Sequence, residues 1–432
     1  MTNHPLLAAA KEIDITPPVG SKLEGYIARK ENSRGIHDPL MGAVLLIQVE
    51  KQTIALISLD YLALSTSTAR QIRESVSLKI NIPVQNIMVA CTHTHSGPAG
   101  LPLNNPLLNQ EKDSALEEML VRKLSGAASW AYDSIQPAMI RVGHDSLNAL
   151  GKNRNSPDNP LDSQLTVMTI ENFQGEIIAI WANFGCHPTI LGSDNLYISA
   201  DFPGAARQIL KQIYPGMVWL FANGASGDVS TRFTRRGQGF EEVGRFGKLL
   251  AGSVLRAIQL ANPIIIDHIQ CLIEPVSIPV RDFPPREQAA LELKSLTEVW
   301  EKLTRDNATA SQMRIAQTRV EGAQAQLLMS KGFGNKKNMD SEIQLIQLGD
   351  LALITLPGEP FTRTVLEIKK QSPFALTSVV SYANDYLGYF PDEESVKMGT
   401  YEALVSPFKP GAAEILRDAV LKLLEKGLAR GY

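Results

Sequence analysis

Asn86-Ile87-Met88-Val89-Ala90-Cys91-Thr92-His93-Thr94-His95-Ser96-Gly97-Pro98 joins a short apolar run to two histidines and then to a Gly-Pro break. The apolar part is rich in large aliphatic residues and predicts a buried strand that Gly97-Pro98 terminates. If the chain stays extended from Thr92 to His95, residues two apart point the same way, and His93 and His95 share one face. Imidazole is the side chain most often used to bind metals, and its neutral form suits zinc. The chain has only seven histidines, so a His-x-His at a strand end reads as part of a metal site.

A catalytic zinc site needs about three or four protein ligands and an open position. A second apolar strand, Ile177 to Asn183, delivers His187 just before Pro188, and a third, Leu351 to Leu356, runs through Pro357-Gly358 to Glu359. Taken alone, Glu359 also fits a negative charge at the start of a helix, because Pro360-Phe361-Thr362-Arg363 follows it. Further strand-like runs lie at 43–49, 53–60, 86–91, 137–142, 165–171, 217–222, 343–348 and 378–382. They alternate with helical stretches from Ser114 to Ala131, Pro203 to Tyr214, Phe240 to Leu260 and Gly411 to Lys426. That alternation predicts an α/β class in which mixed β-sheets pack between α-helices. Residues 284–331 are charged with helical period and a turn at Arg305-Asp306-Asn307, which predicts a helical hairpin insertion.

Composition sets outer limits. With 44% apolar and 20% charged residues, the 432-residue chain can bury a full core and has no disorder signature. Motifs spread over 1–432 favour a single catalytic domain. A net charge of −3 gives no reason to expect a nucleic acid partner. Cys91, Cys186 and Cys271 are odd in number and far apart, so no disulfide framework is expected. The N-terminus lacks a basic n-region with a long apolar core, and no run of about 18 apolar residues suggests a transmembrane segment. A cytoplasmic location is expected, with secretion the alternative if an upstream segment has been removed.

Gly35-Ile36-His37-Asp38, the run from Thr92 to Pro98, Asn153-Arg154-Asn155-Ser156-Pro157 and Asn183-Phe184-Gly185-Cys186-His187-Pro188 occur in that order. Ser199-Ala200-Asp201-Phe202-Pro203-Gly204, Asn223-Gly224-Ala225-Ser226-Gly227-Asp228-Val229-Ser230, Pro357-Gly358-Glu359, Tyr386-Leu387-Gly388-Tyr389 and Tyr401-Glu402 follow. Carrying this ordered set, the chain resembles the neutral (non-lysosomal) ceramidases over roughly residues 10 to 405. The resemblance implies the catalytic-domain fold of that family and an amide hydrolase with one zinc per chain. It implies His93, His187, Glu359 and Tyr389 as zinc ligands, and His95, Arg154, Ser230 and Tyr401 as the other active-site groups. The substrate implied is a small-molecule N-acyl amide or lipid, ceramide or a related N-acyl amine. His37, Asp60 and Asp201 are candidates to orient the ligand imidazoles, whereas His4, His144 and His268 stand in no motif.

The sequence also departs from the family. Fully developed members are longer and secreted, with a β-sandwich domain after the catalytic one. No such domain is expected here, since the chain ends about thirty residues past Tyr401. Where the family continues Gly-Asp-x-Ser with Pro, this chain has Thr231-Arg232, with Arg235-Arg236 close behind; a basic rim suits a more polar or anionic substrate. Two rival readings begin from the same residues: a two-metal amidohydrolase barrel, which also uses His-x-His at a strand end, and a non-catalytic ligand-binding member of the same fold.

Overall fold

The computed structural model describes residues 5–103, 111–333 and 336–430, so His4 lies outside the described residues. Met41–Val49 shows how the sequence builds the centre. Val44 and Leu46 enter one apolar cluster, whereas Ala43, Leu45 and Ile47 enter another on the opposite face. A strand apolar on both faces is covered on both faces.

Among the described residues this strand belongs to a nine-stranded sheet. Its main path runs Val218–Asn223, Ile177–Phe184, Gln164–Asn172, Gln136–Ser146, Leu7–Asp14, Met41–Val49, Gln52–Leu59 and Ile87–Cys91. The outermost pair at each end is parallel, Val218–Asn223 with Ile177–Phe184 and Gln52–Leu59 with Ile87–Cys91, while the pairs between are antiparallel. A second sheet has the order Ile269–Pro279, Asn338–Leu348, Leu351–Thr355 and Leu376–Val380, with the last pair parallel.

The two sheets bury one face against each other: Leu45, Leu56, Trp181 and Leu220 of the first share a cluster with Ile346, Leu353 and Val380 of the second. Helices Thr66–Ile80 and Ser114–Tyr132 cover one half of the first sheet's outer face, and Asp201–Ile213 and Phe240–Gln259 cover the other. Ala412–Arg430 and Thr362–Gln371 cover the outer face of the second sheet. The architecture is therefore four-layered, mixed sheets between helices, as the alternation of elements predicts. Between Pro279 and Asn338, which face each other across the second sheet, the chain runs out into helices Arg286–Arg305 and Ala310–Phe333. No helix among the described residues is long and apolar enough to cross a membrane.

Buried amides set the sheets relative to each other. Asn183 Nδ2 donates to Ala222 O and to Val379 O, both at 3.0 Å, so one side chain joins the two layers. Asn384 accepts from Val89 N at 3.0 Å and donates to Gln344 Oε1 at 2.8 Å, and Gln344 in turn donates to Gln85 O. Asn384 also has φ 61°, a left-handed conformation that Asn tolerates better than most residues. Asn384→Ala both strands buried partners and adds backbone strain, and should cost about 3 kcal/mol. A lower urea midpoint at unchanged slope reads this directly.

Candidate active site

The candidate site lies where the parallel strands of both sheets end. His93 follows Ile87–Cys91, His187 follows Ile177–Phe184, and Glu359 follows Leu351–Thr355. Asn223, the last residue of its strand and fully buried, ties two of these ends together. Its Oδ1 accepts from Cys186 N at 3.1 Å, and its Nδ2 donates to Thr92 O at 3.2 Å and Cys186 O at 3.1 Å.

The chain does not stay extended from Thr92 to His95. Thr92 N and His93 N still pair with Leu59 O and Tyr61 O, but His93 has φ 71°, in the left-handed region. For a non-glycine residue this costs about 1–2 kcal/mol. The turn, not strand alternation, aims the two rings: His93 Nε2 and His95 Nε2 are 3.3 Å apart. One ring nitrogen from each of His93, His95 and His187 lies within 4.8 Å of the others.

Backbone carbonyls set the ring orientations. His93 Nδ1 donates to Leu62 O at 2.8 Å, and His187 Nδ1 to Ser226 O at 2.6 Å and Val229 O at 3.1 Å. A proton held on Nδ1 leaves the Nε2 lone pair facing inward. The carboxyl-bearing candidates do not do this job. Asp60 pairs with Arg207 and accepts from Met41 N, and His37 pairs with Asp38 and stacks on Phe240 at 3.7 Å. Asp201 acts at one remove, accepting from Ile190 N and Leu191 N in the loop just past His187. His144 and His268 lie against Thr166 and Asp267, away from the site.

Burial holds His93 and His95 neutral. Desolvation pulls the His93 pKa down to about 3 against the pull of the Glu359 carboxylate, and burial with the neighbouring His93 and His187 pulls His95 well below its ordinary value. Burial by itself pushes the Glu359 carboxyl up, but His187, His93 and the Tyr386 hydroxyl outweigh it and bring it to about 2. Glu359 Oε2 lies 3.0 Å from His187 Nε2 and 3.8 Å from His93 Nε2. Tyr386 donates to Oε1, and Tyr382 to Oε2 at 3.3 Å.

These donors fit a metal ion. His187 Nε2 is buried without a hydrogen bond although a carboxylate oxygen is close by. Nitrogens held about 2.0–2.1 Å from one tetrahedral centre stand about 3.3 Å apart, the separation seen between His93 and His95. Three neutral nitrogens and one carboxylate form a hard-to-borderline donor set of the kind zinc accepts. Close packing leaves little slack around them. A Cβ on Gly227 would stand 2.5 Å from Glu359 O, and one on Gly25 would stand 2.6 Å from the His95 ring.

The remaining candidates form a second cluster. Tyr389 pairs with Glu359 in a two-residue parallel ladder, and its ring centroid is 6.5 Å from that of His187. Arg154 stacks over Tyr389 at 5.3 Å, donates to Gly227 O and pairs through Nε with Glu402 Oε1 at 2.7 Å, deep in the protein. Tyr401 meets Tyr389 edge-on at 6.4 Å, and burial pushes its hydroxyl up to about 12. Ser230 is buried and accepts from Arg232 N at 3.2 Å at the start of a short turn. Tyr382, Ser226 and the role of Glu402 escaped sequence reasoning. Only the adjacency of Glu402 to Tyr401, and of Tyr382 to the end of the strand Leu376–Val380, offered a signal.

Comparison with known proteins places this geometry. Residues 7–238 match the family described as neutral/alkaline non-lysosomal ceramidase, N-terminal. The neutral ceramidase of Pseudomonas aeruginosa is 26% identical over 203 residues, 42% of this chain and 30% of the relative. Neutral ceramidase 1 of Arabidopsis thaliana is 22% identical over 225 residues, 46% of this chain and 28% of the relative. The matched stretches thus span less than a third of these relatives. The crystal structure of the Pseudomonas aeruginosa neutral ceramidase superposes with a TM-score of 0.77 at 17% identity, covering 98% of this chain and 75% of that one. A structure described as ceramidase complexed with C2 gives 0.79 at 16% identity, covering 99% and 76%. Matched to that family over more than half its length and sharing its fold almost throughout, the chain belongs to the neutral/alkaline non-lysosomal ceramidases.

Proposed function

We propose that this chain is a zinc-dependent amide hydrolase that cleaves the N-acyl linkage of ceramide or a related N-acyl amine to a fatty acid and an amine. The observation that carries the reading is the convergence of three imidazoles, His93 and His187 buried and His95 partly so, beside the Glu359 carboxylate. His93, His187, Glu359 and Tyr389 are assigned as the ligands of one zinc ion. When bound, the ion would supply a water acidic enough to attack at neutral pH and a Lewis acid for the amide carbonyl.

The chain's own groups divide the rest. Tyr382 and Tyr386 hold the Glu359 carboxylate in place by two hydroxyl donors. Tyr401 offers a phenol that stays protonated at neutral pH, and so can donate to a developing oxyanion. His95, neutral at rest, is assigned to take up the proton released by the attacking water and pass it to the departing amine. Arg154, gripped by Glu402, holds Tyr389 against the site, and Ser230 supplies a hydroxyl from the neighbouring turn.

Elemental analysis should find about one zinc per chain, with chelator-sensitive hydrolysis of a short-chain N-acyl sphingosine. The layered sheets already exclude the barrel reading; two metals or none would overturn the single-zinc assignment, and one zinc without turnover would favour a binding protein. His187→Ala should lose metal and activity together, whereas Tyr401→Phe should keep the metal and lose about 10²–10³ in kcat. His95→Gln separates the two roles open to that ring: retained zinc with lost rate assigns proton transfer, and lost zinc assigns ligation. Because burial keeps His93 neutral, that ring sheds no proton on taking up the ion, and metal uptake by calorimetry should lose less affinity between about pH 7.5 and about pH 5.5 than a site of exposed imidazoles would. Exposed imidazoles of pKa ~6.5 would protonate across that window and release the ion.

A further inference from the structure

The three imidazoles of the site are not held alike. His93 and His187 each have Nδ1 bound to a main-chain carbonyl, whereas among the described residues the buried Nδ1 of His95 has no hydrogen-bond partner. His95 is also the one of the three that is only partly buried. Packing must therefore keep its ring in place.

That packing comes from the loop after Leu7–Asp14. Lys22 to Glu24 run antiparallel to Gly97 to Ala99: Glu24 N donates to Gly97 O and Ala99 N to Lys22 O, both at 2.9 Å, and Leu23 bridges Pro98. This register lays Gly25 and Tyr26 on the His95 ring. Gly25 has φ 104°, and a Cβ on it would stand 2.6 Å from His95 Cγ and Nδ1, so a residue without a side chain is what lets the loop lie this close. The Tyr26 and His95 ring centroids are 4.9 Å apart, with the planes tilted by 59°.

Tyr26 is itself fixed. Its hydroxyl donates to Leu191 O at 2.8 Å, and the Arg29 guanidinium lies 5.0 Å from its ring centroid. Arg29 Nη1 donates to His95 O at 2.8 Å and to Glu24 O at 3.0 Å, while Nη2 donates to Gly192 O at 3.1 Å. One planar fork thus joins the His95 turn, the Gly25 loop and the loop past His187. A ring without an anchor on its own Nδ1 takes its angle from this bracket.

We propose that Tyr26, braced by Arg29, is a positioning residue that aims His95 at the scissile amide. This rests on the amide-hydrolase reading, in which His95 carries the proton. Because a misplaced proton carrier slows the chemical step and leaves binding alone, the bracket acts on kcat and not on substrate or metal affinity.

The test uses the full zinc-loaded chain and the short-chain N-acyl sphingosine. Tyr26→Leu should lose about tenfold to a hundredfold in kcat, with KM and zinc content within about twofold of wild type, and Tyr26→Phe, which keeps the ring, should recover most of the rate. In the His95→Gln background, Tyr26→Leu should change the residual rate by less than about twofold, since the group it acts through is gone. Equal losses in both backgrounds, zinc lost along with rate, or a Tyr26→Phe as slow as Tyr26→Leu overturns the assignment. Should Tyr26→Leu not fold, Arg29→Lys, which keeps the charge and gives up the fork, takes its place with the same split expected. A second readout needs no turnover. In nuclear magnetic resonance of the chain with isotope-labelled imidazoles, the signal absent from His95→Gln should broaden or double in Tyr26→Leu, whereas that of His187 keeps its width. A single sharp His95 signal in the variant overturns the positioning role. If no substrate turns over, the amide-hydrolase reading fails separately, and the His95 signal alone decides whether Tyr26 sets that ring.

Discussion

Everything in this structure is arranged around the cost of burying three imidazoles and a carboxylate within a few ångströms of one another. Unpaired, such groups would be expensive to desolvate. The chain meets that cost by keeping His93 and His95 neutral, by fixing the Nδ1 of His93 and His187 on main-chain carbonyls, and by giving Glu359 two tyrosine hydroxyls. The inward lone pairs that remain are what a cation would satisfy. A site organised in this way exchanges stability for affinity, as functional sites commonly do.

The fold follows from holding strand ends together. Parallel strands from both sheets finish on the same side, and buried asparagines lock those ends across layers: Asn223 joins the His93 and His187 loops, and Asn183 joins the two sheets. Amide side chains suit this role because they both donate and accept, so they can close the backbone groups that a strand end leaves open. The second cluster, Arg154 with Glu402 and Tyr389, extends the site toward the helical excursion. Chemistry and access are therefore built by different parts of the chain.

Much was legible in the sequence because local pattern and local function coincide. Apolar runs that end in His-x-His, in Cys-His-Pro and in Pro-Gly-Glu mark both the strand and a candidate ligand, and the ordered motifs around them point to one family. The second set of groups was less legible. Tyr382 lies in no motif, and its hydroxyl meets Ser226 at 2.6 Å across 156 residues. Glu402 gave no sign that it would pair with the guanidinium of Arg154.

By itself, the sequence determined the layered α/β class, the strands and helices that compose it, and the residue types able to bind a metal, because periodicity and side-chain chemistry are local properties. Only the tertiary structure decided which atoms converge. It turned the chain at His93 out of the extended form, and gave ring orientation to carbonyls of Leu62 and Ser226 in place of the carboxylates of Asp60 and Asp201. Those outcomes depend on loops brought together from distant parts of the chain, and the packing that fixes them has no counterpart in any single stretch of residues.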